Sequence, residues 1–69
     1  MNVLKVIILL AKIRNEKKIS LERLSKMSGV SKAHLSDIER NLKMPSLLVM
    51  IRLSQALKVS ITDLYEVIQ

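Results

Sequence analysis

Lys32, Ala33, Ser36 and Asp37 fall within six consecutive positions and carry side chains suited to the edges of nucleic-acid bases. Lysine can donate to guanine O6 or N7, alanine can pack on a thymine methyl, serine serves either base type, and aspartate accepts from cytosine N4. Phosphates repel an acidic residue on such a face, so Asp37 either engages a cytosine or turns back to a neighbouring lysine. Ser31 and the backbone N–H groups that follow it can clamp a phosphate with help from a helix dipole. Ser20 and the backbone of Leu21 can hold a second phosphate in the same way, and Lys17, Lys18, Arg40, Asn41 and Lys43 supply charge on either side.

Catalytic chemistry finds no comparable set. Glu22, Asp37, Glu39, Asp63 and Glu66 form no catalytic pairing in the sequence, and no glycine-rich loop could cradle a phosphate. With no cysteine there is neither a disulfide framework nor a thiolate metal site, and the single histidine, His34, has no second histidine with which to share a metal. The sequence therefore implies no enzyme, no cofactor and no metal.

The candidate base readers need a helix presented at a defined angle, and the segment from Ser20 to Asn41, SLERLSKMSGVSKAHLSDIERN, supplies one. Ser20 and Ser31 are N-cap residues, each able to accept a hydrogen bond from an orphan N–H at a helix start. The second helix is predicted at about Leu21 to Met27 and the third at about Lys32 to Arg40. Gly29 supplies the left-handed conformation that ends the first of these, and Asn41 tolerates it at the end of the second. Leu24, Val30, Leu35 and Ile38 fall where two crossing helices bury side chains, and Ser25 is small where they approach. The product is a helix-turn-helix, whose second helix can enter a major groove.

Around this unit, Val3 to about Lys17 reads as a first helix with Val6, Leu10 and Ile13 facing the core. Pro45 and Ser46 start a fourth helix carrying Leu47, Met50, Leu53 and Leu57. Ser60 and Asp63 resemble a capping box that opens a fifth, with Ile61, Leu64 and Ile68. The expected fold is all-α: a compact five-helix bundle in a single domain, residues 1–69. The chain is near the lower size limit for a self-sufficient core, but 49% hydrophobic residues provide the material for one.

Of the net charge of +6, an excess of five lies between residues 12 and 43, where nine lysines and arginines meet four carboxylates. Concentrated on the helix-turn-helix, that excess is the footprint of phosphate contact. The apolar run VIILLA is too short to span a bilayer, has no small-residue cleavage site and is followed at once by KIRNEKK. No membrane association is implied, and the expected compartment is the cytoplasm.

KIRNEKKIS, SLERLSKMSGVSKAHLSDIERN, MPSL and LSQALKVSITDLY together resemble the Cro/C1-type (XRE) DNA-binding domain, of the lambda-repressor-like fold, and within it the SinR-like repressors. The likeness runs from about Lys12 to Tyr65. It implies a bacterial or phage transcriptional regulator that binds double-stranded DNA. It also implies that Arg14 and Glu39 pair across the first and third helices as scaffold for the site, and that His34 touches a phosphate. At Leu21 the chain departs from the family, many of whose members carry a glutamine that grips the sugar-phosphate. A second departure is the surplus of apolar residues, Ile7, Ile8 and Leu9 in the first helix and Leu48, Val49 and Ile51 in the fourth. An amphipathic helix in so small a domain cannot bury every side of itself. The surplus therefore points to an exposed patch, and to a homodimer with apolar contacts from the first helix or from the fourth and fifth; the alternative is a small core that wraps the first helix more fully. A repressor that occludes a promoter as a dimer fits best. An antitoxin of the same fold that neutralises a toxin, a repressor held by an antagonist protein, and an interaction module that binds no DNA are the alternatives.

Overall fold

The computed structural model describes residues 4–69. Strand β1 (Lys5–Ile8) leads into helices α1 (Leu10–Glu16), α2 (Leu21–Ser28), α3 (Lys32–Glu39) and α4 (Leu47–Leu57). A single 3-10 turn at Ile61–Asp63 then precedes strand β2 (Tyr65–Ile68). The two strands pair antiparallel, with Lys5 opposite Ile68, Val6 opposite Val67, Ile7 opposite Glu66 and Ile8 opposite Tyr65.

The expected five-helix, strand-free bundle is thus corrected to four α-helices closed at one end by a two-stranded sheet. Val6, Ile7 and Ile8 are β-branched, and stiffness at χ1 suits them to a pleated strand more than to a helix. Two of their partners, Val67 opposite Val6 and Tyr65 opposite Ile8, are also strand-favouring residues, and Glu66 lies opposite Ile7. Helix α1 therefore starts only at Leu10, and Val3, expected in the first helix, lies outside the described residues. At the other end the Ser60 N–H donates to Asp63 Oδ2 at 3.0 Å, as a capping box requires, but the helix it opens lasts one turn before the chain extends into β2.

The starts of α2, α3 and α4 follow from serine caps. Ser20, Ser31 and Ser46 accept hydrogen bonds from the N–H groups of Arg23, His34 and Val49, each at 3.1 Å. Gly29 adopts φ +74°, and Asn41 takes φ +58° just beyond α3. The core joins all the helices: Leu10, Leu24, Leu35, Ile38, Leu53 and Leu64 are fully buried, with Ile8, Val30, Met50 and Leu57 beside them. Leu47, expected in the core, is 69% exposed instead. It is the first residue of α4 and lies at the open side of a groove beside the sheet. Ile68, a strand residue, is likewise exposed.

Candidate nucleic-acid interface

Helices α2 and α3 cross over Leu24, Val30, Leu35 and Ile38, all buried. The corner between them is tied by Ser28, whose Oγ donates to the Leu24 carbonyl at 2.7 Å and accepts from the Val30 N–H at 3.2 Å. Ser28 is buried, whereas Ser25 is half-buried. The sequence signal for Ser28 is modest: a small polar residue just before a C-cap glycine, where its hydroxyl can replace a missing backbone partner.

The orientation of α3 is fixed from α1. Arg14 donates through Nε to Glu39 Oε2 at 2.6 Å and through Nη2 to Glu39 Oε1 at 3.0 Å, while its Nη1 donates to the Ile19 carbonyl at 2.7 Å. The side chains retain only 15% and 11% exposure. Hydrogen bonding to Glu39, opposed by burial and aided by its charge, holds the guanidinium protonated to higher pH than usual. Three of the five guanidinium donors are thereby committed, and the plane of the group is locked. Ile19 is a contributor the sequence did not mark, because a carbonyl acceptor leaves no trace in residue type.

With its inner face so held, α3 turns Ser31, Lys32 and Ala33 to solvent, and keeps His34, Ser36 and Asp37 half-exposed. Ser31 Oγ accepts from the His34 N–H, leaving its own O–H to donate outward. The backbone hydrogen bonds of α3 begin with Leu35 N–H to the Ser31 carbonyl, so the N–H groups of Lys32 and Ala33 lie at the open, positive end of the helix. Lys17 and Lys18 stand exposed in the turn between α1 and α2. Arg40, Asn41 and Lys43 stand exposed in the loop after α3, so basic side chains flank the unit on both sides. Ser20 is exposed at the start of α2, and the Leu21 side chain packs against the core, leaving its backbone as the group that could meet a phosphate.

Two of the base-reading candidates have intramolecular partners. Lys32 Nζ pairs with Glu22 Oε1 of α2 at 2.5 Å, both side chains remaining more than half exposed. That hydrogen bond, with the lysine charge behind it, draws the Glu22 carboxyl below its ordinary range. Asp37 Oδ1 accepts from Arg40 Nη2 at 3.1 Å, so the aspartate turns to an arginine of its own helix end rather than to a lysine. Glu22 is the residue of this surface that sequence reasoning passed over as a site. It is an acid in the first turn of a helix, where the dipole explains it, and only the crossing of α2 and α3 brings it to Lys32.

The six residues expected to form a dimer surface separate. Leu48 is 57% exposed, whereas Ile7, Leu9, Val49 and Ile51 are half-buried. Ile8 is corrected to the core, at 8% exposure, because alternation in β1 turns it inward opposite Tyr65. Besides Leu48, the exposed large apolar residues are Leu4, Met27, Leu42, Met44 and Leu47, with Val67 and Ile68 on β2. Between the sheet and the start of α4 is an open apolar groove of about 330 Å³, lined by Val6, Ile8, Met44, Leu47 and Tyr65 among others. No group of acids and histidines that could hold a metal occurs among the described residues, and no helix among them is long and apolar enough to cross a membrane.

A helix-turn-helix family model matches residues 10–64. An uncharacterised HTH-type transcriptional regulator of Mycobacterium tuberculosis is 43% identical over 47 residues, covering 68% of this chain and 34% of that protein. The chain thus spans about a third of the length of that relative. The structure of SinR, the master regulator for biofilm formation, in complex with DNA is similar with a TM-score of 0.73 and 41% identity over 77% of this chain and 86% of that one. The restriction-modification controller protein C.AhdI from Aeromonas hydrophila gives a TM-score of 0.75 at 28% identity, covering 78% and 82%.

Proposed function

The chain belongs to the Cro/C1-type helix-turn-helix family, whose model spans residues 10–64, and we propose that it is a sequence-specific DNA-binding repressor acting as a dimer in the cytoplasm. Its substrate is double-stranded DNA, and it works without cofactor, metal or catalytic step. The observation that carries this reading is the way α3 is presented. The inner face is buried and bolted to α1 through Arg14 and Glu39, while the first turn, with Lys32 and Ala33, stays exposed at the positive end of the helix. A structure of the related SinR holds DNA, which supports the same use of the surface here.

Ala33 and Ser36 meet bases directly. Lys32 and Asp37 do so when they leave Glu22 and Arg40. Phosphates are held by Ser20 and the Leu21 backbone at one helix start, by Ser31 and His34 at the other, and by Lys17, Lys18, Arg40, Asn41 and Lys43 around them. A single helix of this length supplies little specificity, and a second copy doubles both the base contacts and the phosphate contacts. Two α3 helices about 34 Å apart then occupy successive major grooves and exclude polymerase from an overlapping promoter. Selection of bound sequences from random duplexes at several salt concentrations tests the proposal. A recurring two-half-site motif supports it, and a profile without preferred sequence at any salt overturns it.

The exposed Leu42, Met44, Leu47 and Leu48 favour a second reading, in which a protein partner, an antagonist or a toxin, docks on this side. Under the alternative that DNA is not the ligand, Lys32→Ala with Asp37→Ala leaves function unchanged.

A further inference from the structure

Glu22 and Lys32 come from different helices, and their charged groups meet at 2.5 Å on the outer surface, with 62% and 57% of the two side chains open to solvent. An ion pair so exposed adds little to stability, so the fold has small use for an acid at this point. On a surface that meets phosphates the same acid is repelled. Its position nevertheless gives it a function that Lys32 lacks. The carboxylate lies within one hydrogen bond of the ammonium, so a base edge within reach of Lys32 is also within reach of Glu22. Lys32 draws the Glu22 carboxyl below its ordinary range, and Lys26, one turn further along α2, adds to the pull. When Lys32 turns away, the acid therefore still has a positive neighbour.

A donor and an acceptor held side by side match one feature of the major groove. Guanine presents N7 and O6 as acceptors, and its cytosine presents the N4 amino group as a donor. O6 and N4 are hydrogen-bonded to each other, so groups that contact them sit side by side as well. A lysine alone does not tell which strand carries the guanine, because its stem is flexible and its ammonium has three rotatable donors. An acid beside it does. We propose that Glu22 is a second reader of the base pair read by Lys32: Lys32 donates to guanine O6 and N7 while Glu22 accepts from the N4 amino group of the paired cytosine. The inference rests on the DNA-reading surface described above, and adds to it a residue of α2 and a strand polarity. On the reversed pair, C·G, the amino group faces Lys32 and the keto oxygen faces Glu22, so both contacts turn repulsive. On T·A, thymine O4 and adenine N6 keep the order of acceptor and donor, but the lysine loses N7. The order of preference is then G·C, T·A and last the two reversed pairs.

Selection from random duplexes first locates the position whose preference Lys32→Ala flattens. Duplexes carrying each of the four base pairs there are then titrated with wild type, Glu22→Gln and Glu22→Ala. Wild type should favour G·C over C·G, and in Glu22→Gln that ratio should fall about tenfold, because an amide offers both a donor and an acceptor and suits either polarity. Most of the change should be tighter binding to C·G. Glu22→Gln should melt within about 2 °C of wild type, so that a change in ratio reports on reading and not on folding. An unchanged ratio in both variants, or tighter binding to all four pairs by one common factor, would overturn the role of Glu22 and leave the regulator standing. A wild type that selects no sequence at any salt removes the DNA reading itself, and this inference with it.

Discussion

Replacing Arg14 with alanine should be the most damaging single change to the DNA-binding surface made without touching that surface. The guanidinium makes two charge-assisted bonds to Glu39 and one to the Ile19 carbonyl, and Glu39 is only 11% exposed. Arg14→Ala strands the carboxylate in that setting. Breaking a fully buried pair costs about 3 to 5 kcal/mol, and the residual exposure here puts the loss near the lower end, about 3 kcal/mol. A domain of 69 residues has roughly 3 to 10 kcal/mol in total. At about 4 °C or more per kcal/mol, the melting temperature should fall by at least about 12 °C. Circular dichroism melts at neutral pH measure this, and titration of a selected duplex at a temperature where the variant remains folded measures the loss of orientation. The double variant Arg14→Met, Glu39→Leu strands no charge and should recover most of the stability, while α3, no longer pinned in direction, should still bind more weakly than wild type. The raised Arg14 value means that the pair's stabilisation is present below the ordinary arginine range and is lost only as pH rises above it, so no alkaline weakening is expected up to about pH 10. An Arg14→Ala protein that melted within about 2 °C of wild type with full operator affinity would refute the scaffold role.

Three further outcomes follow from single contacts. Ser31→Ala removes the cap bonded to the His34 N–H and should cost about 1 kcal/mol in a thermal melt, together with weaker binding to any duplex regardless of sequence. At Gly29 an added Cβ would meet nothing within 4 Å, so Gly29→Ala should cost only the left-handed backbone, about 1 to 2 kcal/mol by chemical denaturation, with Gly29→Asn costing less. Glu22→Gln should release Lys32, remove a negative charge from the DNA-facing side and tighten binding at low salt, which a fluorescence-anisotropy titration would show. The lowered Glu22 value puts the contribution of the native pair above the ordinary glutamate value of 4.5, fading as pH falls below it, and an NMR titration of the Glu22 carboxyl carbon should place its midpoint below that of the free residue.

Between Ser20 and Asn41 the fold was legible because each decision is local. A serine caps its own helix within three residues, a glycine takes φ +74° at its own position, and the apolar residues that cross are close in sequence. The ends of the chain were not legible for the opposite reason. Val6 and Val67 face each other across 61 positions, and no window of neighbouring residues contains both. Read alone, VIILLA offers helical spacing as readily as strand alternation, and the apolar residues left over on a supposed helix imply a dimer patch there. Once Ile8 is turned into the core by pairing with β2, that argument for a helical patch loses its anchor. The exposed apolar surface passes to Met44, Leu47 and the strand edge. The candidate site divides in the same way. Its caps and charged residues are visible as types, whereas the Lys32–Glu22 pair exists only after α2 and α3 have crossed, and the Arg14–Ile19 bond ends on a backbone carbonyl that residue type does not mark.

Those contacts bear on how the surface could discriminate sequences. Lys32 and Asp37, the two charged residues we propose as base readers, are both satisfied within the protein, by Glu22 and Arg40. Each must exchange that partner for a base to read it, and because Lys32, Glu22 and Arg40 are more than half exposed, water and salt already compete for the pairs. Exchange is therefore cheap, and it is selective: Lys32 gains by leaving Glu22 only where guanine offers O6 and N7, and Asp37 gains by leaving Arg40 only where cytosine offers N4. On any other base pair the two side chains stay as they are in the free protein, and Ala33 and Ser36 alone face the groove. Under the proposed reading, a phosphate that draws Arg40 away frees Asp37 at the same moment, which would couple backbone engagement to cytosine readout through one bond of 3.1 Å. Arg40→Ala should then weaken binding to every duplex while reducing discrimination at the Asp37 position; a uniform loss with discrimination intact would separate the two roles.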